Sequence, residues 1–415
     1  MKCIDSKRLL VVALNYAPEL TGIGKYVGEM TAWLAAQNVA IRVVTAPPYY
    51  PGWVVQPGYS ARWYAREHVA GADAIRCPLW VPRQPRGLTR VLHLLTFALS
   101  SFPVVVWQAI FWRPHLIFVV EPPLAAAPGV WLAAKLCGAR TWLHVQDLET
   151  DAAFDLGLLR PGKVQRAILA VERVLMRRFD RVSSISDRMR ARLLQKGVDP
   201  KRVVSFPNWV DLSLIRPLEG ENPLRRQLGI GENARVLLYS GNMGEKQGLE
   251  ILIEVARRSA STTNALFLLC GDGVARPRLE RAAAGLSNVR FLPLQPLSRL
   301  NELLNLADVH LLPQRAAAQD LVMPSKLAAM MASGRPVLAT AHSGSDVARV
   351  VSEGGLVVAP GDVEALCLAI ERLLADDALR RHMGQSGRAY AEAQWERDAV
   401  LRRAFSAFQA CADGA

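Results

Sequence analysis

Lys246 stands in Tyr239-Ser240-Gly241-Asn242-Met243-Gly244-Glu245-Lys246-Gln247-Gly248, a glycine-rich stretch with one lysine. Val236-Leu237-Leu238-Tyr239 before it reads as a buried strand. Leu249, Leu252, Ile253 and Ala256 after it recur at helical spacing. Gly241 and Gly244 allow the backbone to approach a ligand closely, Asn242 adds a polar group, and first-turn N–H groups favour a phosphate. The same residues also suit an ordinary strand-to-helix turn with a solvated lysine. Gly271 and Gly273 follow a second strand in Cys270-Gly271-Asp272-Gly273, where they could line a nucleotide, and Arg276 and Arg278 come just beyond as either ligand contacts or a solvated helix start. A second phosphate seat is Met323-Pro324-Ser325-Lys326, which opens a helix over 327–332. Pro324 suits a first turn, and Ser325 and Lys326 bring a hydroxyl and a cation to unpaired N–H groups. The loop of Lys246 and the turn of Lys326, both at strand carboxyl ends of one domain, predict a pyrophosphate and hence a nucleotide-activated substrate.

The first half carries different groups. Thr141-Trp142-Leu143-His144-Val145-Gln146-Asp147 is a strand ending in polar residues, with Glu149 and Asp151 close behind. Asp147, at the ligand end of the strand, could bind a sugar hydroxyl or stabilise positive charge on a reacting carbon. His144 is the second choice as a catalytic group, because a histidine on an apolar strand is more often a core residue. Near the N-terminus, Arg8–Leu14 reads as a strand that runs into Gly22, Gly24 and Gly28, with a helix behind them. A nicotinamide site needs G-x-G-x-x-G and an acid after the second strand. Here the second strand runs into Thr45-Ala46-Pro47-Pro48, which argues against a dehydrogenase.

These groups need a scaffold, and 415 residues exceed one core. Strand–helix alternation restarts near Arg235 after a loop-like stretch, so the chain divides into 1–206, 207–385 and a closing helix in 386–415 that crosses back over the first domain. That helix is expected over Ala389–Phe408 after a break at Gly384 and Gly387. Pro47 to Arg86 reads as one long irregular loop rich in aromatic residues and arginines. The run Val91–Trp112 is nearly as long as the roughly 20 residues a span needs. His93, Gln108 and Pro103 interrupt it, so two helices bent at Pro103 and lying at a membrane surface are expected. A net charge of +13 points to anionic partners. Scattered helix arginines without stacked aromatics make nucleic acid the least favoured partner. The six cysteines show no C-x-x-C pair, so neither a disulfide framework nor a zinc site is expected, and a reducing compartment fits. Met1-Lys2-Cys3-Ile4-Asp5 lacks the apolar region of a signal peptide, which predicts a cytoplasmic chain at the inner face of the membrane.

Taken together, several stretches resemble the GT-B glycosyltransferases of family 4, in particular those of colanic acid exopolysaccharide assembly. They are 15–26 (from Asn15 to Tyr26), Thr45-Ala46-Pro47-Pro48-Tyr49-Tyr50-Pro51, Pro207-Asn208-Trp209, Ser240-Gly241-Asn242 with Gly244–Gly248, and Pro324-Ser325-Lys326. The resemblance implies an α/β fold of two Rossmann-like, doubly wound parallel-sheet domains facing across a cleft, with metal-independent transfer that retains anomeric configuration. It implies that Lys246 pairs with the donor diphosphate, that Ser325 and Lys326 hold it from another helix, and that Gly22 and Gly24 border the acceptor side. Asn242 stands where members commonly carry an arginine. Leu321 and Ala329 stand where they carry two glutamates, with Asp320 the nearest acid. Where many members keep a pocket histidine, Asp147 or Gln146 aligns and His144 falls slightly earlier.

The expected activity is transfer of a hexose from a nucleotide-diphosphate sugar to a lipid-linked saccharide at the inner membrane surface. No cofactor is expected. GDP-fucose is the donor suggested by the colanic acid likeness, and a polysaccharide assembly complex is a further partner. A nucleotide-sugar epimerase on the same scaffold and a non-catalytic scaffold in such a complex stay open beside it.

Overall fold

Eight strands build the first sheet: β1 Arg8–Val12, β2 Ala40–Thr45, β3 Ala65–Val69, β4 Ala72–Arg76, β5 Leu116–Glu121, β6 Arg140–Val145, β7 Arg181–Ser184 and β8 Val203–Ser205. They come from a computed structural model that describes residues 7–83, 87–148, 163–260, 264–315 and 323–414. The candidates Glu149, Asp151, Asp320 and Leu321 lie outside the described residues, as does the side chain of Lys246. The sheet runs β3-β4-β2-β1-β5-β6-β7-β8, and every pair is parallel except the edge pair β3–β4. All six residues of β5 are buried, as a parallel strand covered by helices on both faces requires. Strand order reverses between β1 and β5, so the crevice beyond their carboxyl ends is where a ligand is expected.

The second sheet consists of β9 Arg235–Ser240, β10 Ala265–Cys270, β11 Val289–Leu292, β12 Val309–Leu312, β13 Val337–Thr340 and β14 Gly355–Val358. Its order is β11-β10-β9-β12-β13-β14, all parallel, with the reversal between β9 and β12. That is the strand order of a doubly wound dinucleotide-binding sheet. Its core is made of buried leucines, valines and Phe267 packed against the helices Glu250–Ser259 and Val363–Ala375.

The chain forms two compact units, Met1–Pro207 with Asp398–Ala415, and Asn208–Arg397. The return to the first unit thus begins at Asp398 rather than at residue 386. Gly384 and Gly387 do not break a helix, because Asp377–Trp395 runs straight through them and the chain turns at Glu396. A Cβ on Gly384 would lie 2.1 Å from the Gly334 carbonyl oxygen, and Gly354 would place one 2.5 Å from Gly387 Cα. These glycines therefore serve close helix-to-backbone packing. The last helix, Arg397–Asp413, docks on the first unit through Phe408, whose ring lies 4.8 Å from Trp142 and 5.2 Å from Phe118.

Two other expectations change in the first unit. The stretch from Pro47 towards Arg86 contains the β3–β4 hairpin, whose turn places Ala70 and Gly71 at φ 50° and 73°. Both turn residues at positive φ match the twist of a two-residue hairpin loop. The hairpin escaped sequence reading because β3 (Ala-Arg-Glu-His-Val) is a polar edge strand with no buried residue. The apolar run is one helix, Leu88–Trp107, continued by a π-helical turn over Gln108–Trp112, and Pro103 sits inside the helix without dividing it. We label it α2, after α1 Gly22–Ala36, and the helix Ala127–Cys137 is α3. Close packing of α2 on α3 depends on Gly129, where a Cβ would fall 2.7 Å from Phe102 Cδ2.

Candidate active site

In the second unit the reversal point lies beside the predicted glycine loops. Tyr239 ends the buried part of β9, and its hydroxyl donates to the Asn242 carbonyl at 2.5 Å, tying the loop to its strand. Gly241 follows at φ 131°, and its N–H donates to Cys270 O on β10. Gly271 and Gly273 are both at φ 149°. A Cβ on Gly271 would lie 1.9 Å from Gly241 O, and one on Gly273 would lie 2.5 Å from Met243 O and 2.7 Å from Asn242 Oδ1. The loops after β9 and β10 therefore interlock only because these positions lack side chains. Met243 N–H donates to Asp272 O and Ala275 N–H to Met243 O, closing the lock at 2.7 and 2.9 Å.

Lys326 reaches this lock from the other side of the reversal point. Its Nζ sits 3.9 Å from the centroid of the Tyr239 ring, and a Cβ on Gly241 would touch its Cδ and Nζ at 3.6 and 3.8 Å. A cation over an aromatic face is favourable, yet burial outweighs it and pushes the Lys326 ammonium down to about 7. Desolvation also lowers the neighbouring core histidine, His310, to about 3; its Nε2 meets Ser333 Oγ at 3.0 Å. The structure thus brings together Gly241, Asn242, Gly271, Gly273 and Lys326, five of the sequence-selected residues.

The remaining candidates take other places. Gly244 precedes the 3-10 turn Glu245–Gln247, and Lys246 is on that turn, before the longer helix that begins at Glu250. Ser325 is exposed, adopts a helical φ of −57° and makes no side-chain cap, so its hydroxyl does not occupy the first-turn N–H groups. Pro324 lies just before it, and its carbonyl accepts from Leu327 N–H. Arg276 braces the glycine loop by donating to Gly271 O and Leu292 O at 2.6 and 3.2 Å. Arg278 and Arg315 both pair with Glu245 and Glu250, an exposed network that pins the 3-10 turn to the helix start. Among the described residues no group of three or more His, Cys, Asp or Glu side chains could hold a metal ion.

In the first unit a second group of residues gathers at the β1/β5 reversal. Glu19, in the turn after β1, is 3% exposed, and its Oε1 accepts the N–H groups of Tyr49 and Tyr50 at 2.9 and 2.8 Å. Burial raises its carboxyl above the usual range, and these two amides partly offset the rise. Gly24 makes room for it: a Cβ there would lie 2.7 Å from Glu19 Oε2. Gly22, at φ 60°, borders the Tyr50 ring, which a Cβ would meet at 3.4 Å. Burial raises the Tyr50 phenol, the Arg90 charge opposes that rise, and the Glu19 and Asp147 carboxylates add to it. Tyr50 therefore lies in the electrostatic reach of Arg90, Glu19 and Asp147. Sequence reading left Glu19 and Arg90 out; the available signal was an acid between Pro18 and Gly22 in a glycine turn.

His144 is displaced from this group into the core. Its Nδ1 meets Ser183 Oγ at 2.8 Å, its Nε2 meets Gln146 Nε2 at 3.0 Å, and Phe118 stacks on its ring. Burial pushes its pKa down to about 3, so the imidazole is neutral and its nitrogens are engaged in packing. A proton-transfer role for His144 has no geometric support.

Two interlocked glycine loops thus lie on one doubly wound sheet, and the same chain carries a second, largely parallel sheet. Residues 21–209 match the family described as Glycosyl transferase 4-like domain, and 234–376 match Glycosyl transferases group 1. The chain is 43% identical over 407 residues to the Escherichia coli (strain K12) protein assigned to colanic acid biosynthesis as glycosyl transferase WcaI, covering 95% of this chain and 98% of that one. The chain belongs to the GT-B glycosyltransferases of family 4. Among solved structures it resembles sucrose-phosphate synthase from Thermosynechococcus elongatus, with TM-score 0.77 at 20% identity over 99% of this chain and all of that one. WaaG, a glycosyltransferase involved in lipopolysaccharide biosynthesis, superposes with TM-score 0.68 at 19% identity over 95% of this chain and 98% of that one. Anabaena HepE in complex with UDP and glucose gives 0.70 at 15%, covering 97% and 100%. At these identities the solved structures speak for the fold.

Proposed function

We propose that this glycosyltransferase moves a sugar from a nucleotide-diphosphate donor to a lipid-linked saccharide at a membrane surface, in exopolysaccharide assembly. The observation that carries the donor half is Lys326 over Tyr239, against the Gly241 loop at the β9/β12 reversal. A lysine partly stripped of water there regains its charge when an anion arrives, and it can meet the growing charge on a leaving diphosphate. Lys246 and the loop N–H groups add to that stabilisation. In the transfer the bond from the anomeric carbon to the diphosphate oxygen breaks, the acceptor oxygen bonds to the same carbon with retention, and the acceptor proton leaves with the phosphate. Asp147, in electrostatic reach of Tyr50 in the first unit, is the carboxylate assigned to stabilising the positive charge that builds on the sugar. No metal is needed to neutralise the diphosphate where lysines do so.

The acceptor half rests on α2. From Leu88 to Trp112 the run is long and apolar enough to cross a membrane, yet one side is committed to the protein. His93, Phe97, Ser101 and Val105 are buried on the domain. His93 donates from Nδ1 to Trp80 O at 2.7 Å and accepts the Tyr49 hydroxyl at Nε2 at 2.9 Å. The opposite side exposes Leu88, Leu92, Leu95, Leu99 and Phe111. A helix with one face packed and the other bare suits a position in the plane of the interface better than a span. Identity over nearly the whole length with the colanic acid protein supports exopolysaccharide assembly, and GDP-fucose is the donor proposed on the family resemblance.

A thermal-shift panel of nucleotide sugars tests the donor assignment, because a ligand that binds only the native state raises the melting temperature. GDP-fucose or another GDP or UDP sugar is expected to shift it, and the free sugars are not. A flat panel across all bases would remove the donor role.

A further inference from the structure

The flank of α2 holds a pocket of about 390 Å³ against the β3–β4 hairpin, walled by Tyr64, Pro103, Val104 and Trp107, with Arg66 and Gln108 as its polar edge. That volume lies within the roughly 300–1,000 Å³ of small-molecule sites. Pro103 and Trp107 belong to the exposed stripe Leu99, Pro103, Trp107, Phe111, four residues apart and so on one helix face. The pocket is therefore a recess opening off the apolar face. The hairpin is fastened over it by Tyr64, whose hydroxyl donates to Ser100 O at 2.9 Å.

Charge at its edge is unbalanced. Arg66 is exposed, and its guanidinium makes no hydrogen bond or ion pair among the described residues. Arg42 lies behind, donating to Gln108 Oε1 at 2.7 Å and stacked 4.7 Å from the Trp112 ring. Burial lowers the Arg42 guanidinium, Asp73 opposes this, and the neighbouring charge of Arg66 adds to it. Asp73 is itself within 3.0 Å of His68 Nδ1, so it balances the two arginines only in part. Hydrocarbon walls ending at paired cations fit an amphiphile with an anionic head. A glycan would find few partners, since Gln108 is already engaged by Arg42.

We propose that this recess binds one acyl chain of an anionic phospholipid of the membrane, with the lipid phosphate at Arg66 and Arg42. The inference rests on the membrane-surface reading of α2 and adds a defined lipid site to it. Acyl-chain diazirine phosphatidylglycerol in vesicles, irradiated with the full-length protein and followed by peptide mapping, tests it. Adducts are expected on Tyr64 and Val104 inside the recess as well as on Leu99 and Phe111 outside it. Arg66→Gln should reduce the inner adducts about fivefold, the equivalent of one surface arginine at an anionic membrane. Val104→Phe, which fills the recess, should abolish them, with the outer adducts kept in both variants. Adducts on Leu99 and Phe111 alone would overturn the recess and leave the surface reading standing. Equal inner labelling by the phosphatidylcholine analogue, or loss of inner labelling to a soluble oligosaccharide, would overturn the anionic lipid. Failure to sediment with vesicles at all would remove the surface reading and the inference with it.

Discussion

Lys326→Met is expected to weaken binding of a nucleoside diphosphate about 10- to 100-fold, the range of a lost charge-assisted hydrogen bond. The fold should persist, because methionine keeps the stem against Tyr239 and Gly241 and removes a group that burial disfavours in its charged form. Titration calorimetry reads the effect directly. Its pH dependence carries the sharper signature. In the free protein Lys326 ionises at about 7, below its ordinary 10.5. Below 7 the ammonium is present and its burial penalty is fully felt; as pH rises from 7 towards 10.5 the folded amine is neutral and that penalty is relieved. A bound diphosphate restores the charge, so binding above pH 7 takes up a proton. Affinity should therefore fall as pH rises from about 7 to 9 in the wild type and be nearly flat in Lys326→Met. Equal pH profiles in the two proteins would take Lys326 out of the donor site.

The second large effect is expected on turnover. Asp147→Asn should lower kcat by about 10²- to 10³-fold while leaving donor affinity within about twofold, the pattern of charge stabilisation realised only in the transition state. Asp147 stands beyond β6 and acts on the Tyr50 phenol together with Arg90 and Glu19, an environment in which a fixed negative charge has electrostatic reach. His144→Gln, by contrast, is expected to change stability more than kcat, because its ring lies between Phe118, Phe206 and Ser183. Steady-state kinetics with separate determination of donor affinity distinguishes the two. An Asp147→Asn enzyme that keeps full turnover would leave the first unit's carboxylate without a chemical role.

Much of the fold was legible because buried parallel strands are short apolar runs that end in glycine or polar loops, as Val236–Tyr239 and Ala265–Cys270 do. Local pattern fails where tertiary contact decides. Gly384 and Gly387 look like breakers, yet they are needed because the backbone of Gly334 and Gly354 comes within a Cβ radius of the helix. Pro103 looks like a bend, yet α2 continues through it. The β3–β4 hairpin is polar and pairs at the sheet edge, so no apolar period marks it. At the site, the glycines announced themselves by type, whereas Glu19 and Arg90 did not. Their roles depend on the Tyr49-Tyr50 loop folding back over the turn after β1, a contact 31 residues apart in the chain. The seat of Lys326 over Tyr239 likewise depends on β9 and β12 being neighbours, which sequence alone only suggests.

Sugar transfer from a nucleotide donor to a lipid-linked saccharide can be followed with purified protein, vesicles carrying a polyprenyl-diphosphate-linked glycan, and radiolabelled GDP-fucose beside a panel of other labelled nucleotide sugars. Label is expected to move from one of these donors into the lipid fraction, with nucleoside diphosphate released in equal amount and the product dependent on the acceptor. Conversion of a nucleotide sugar to its epimer without acceptor, or no consumption of any donor, would contradict that account.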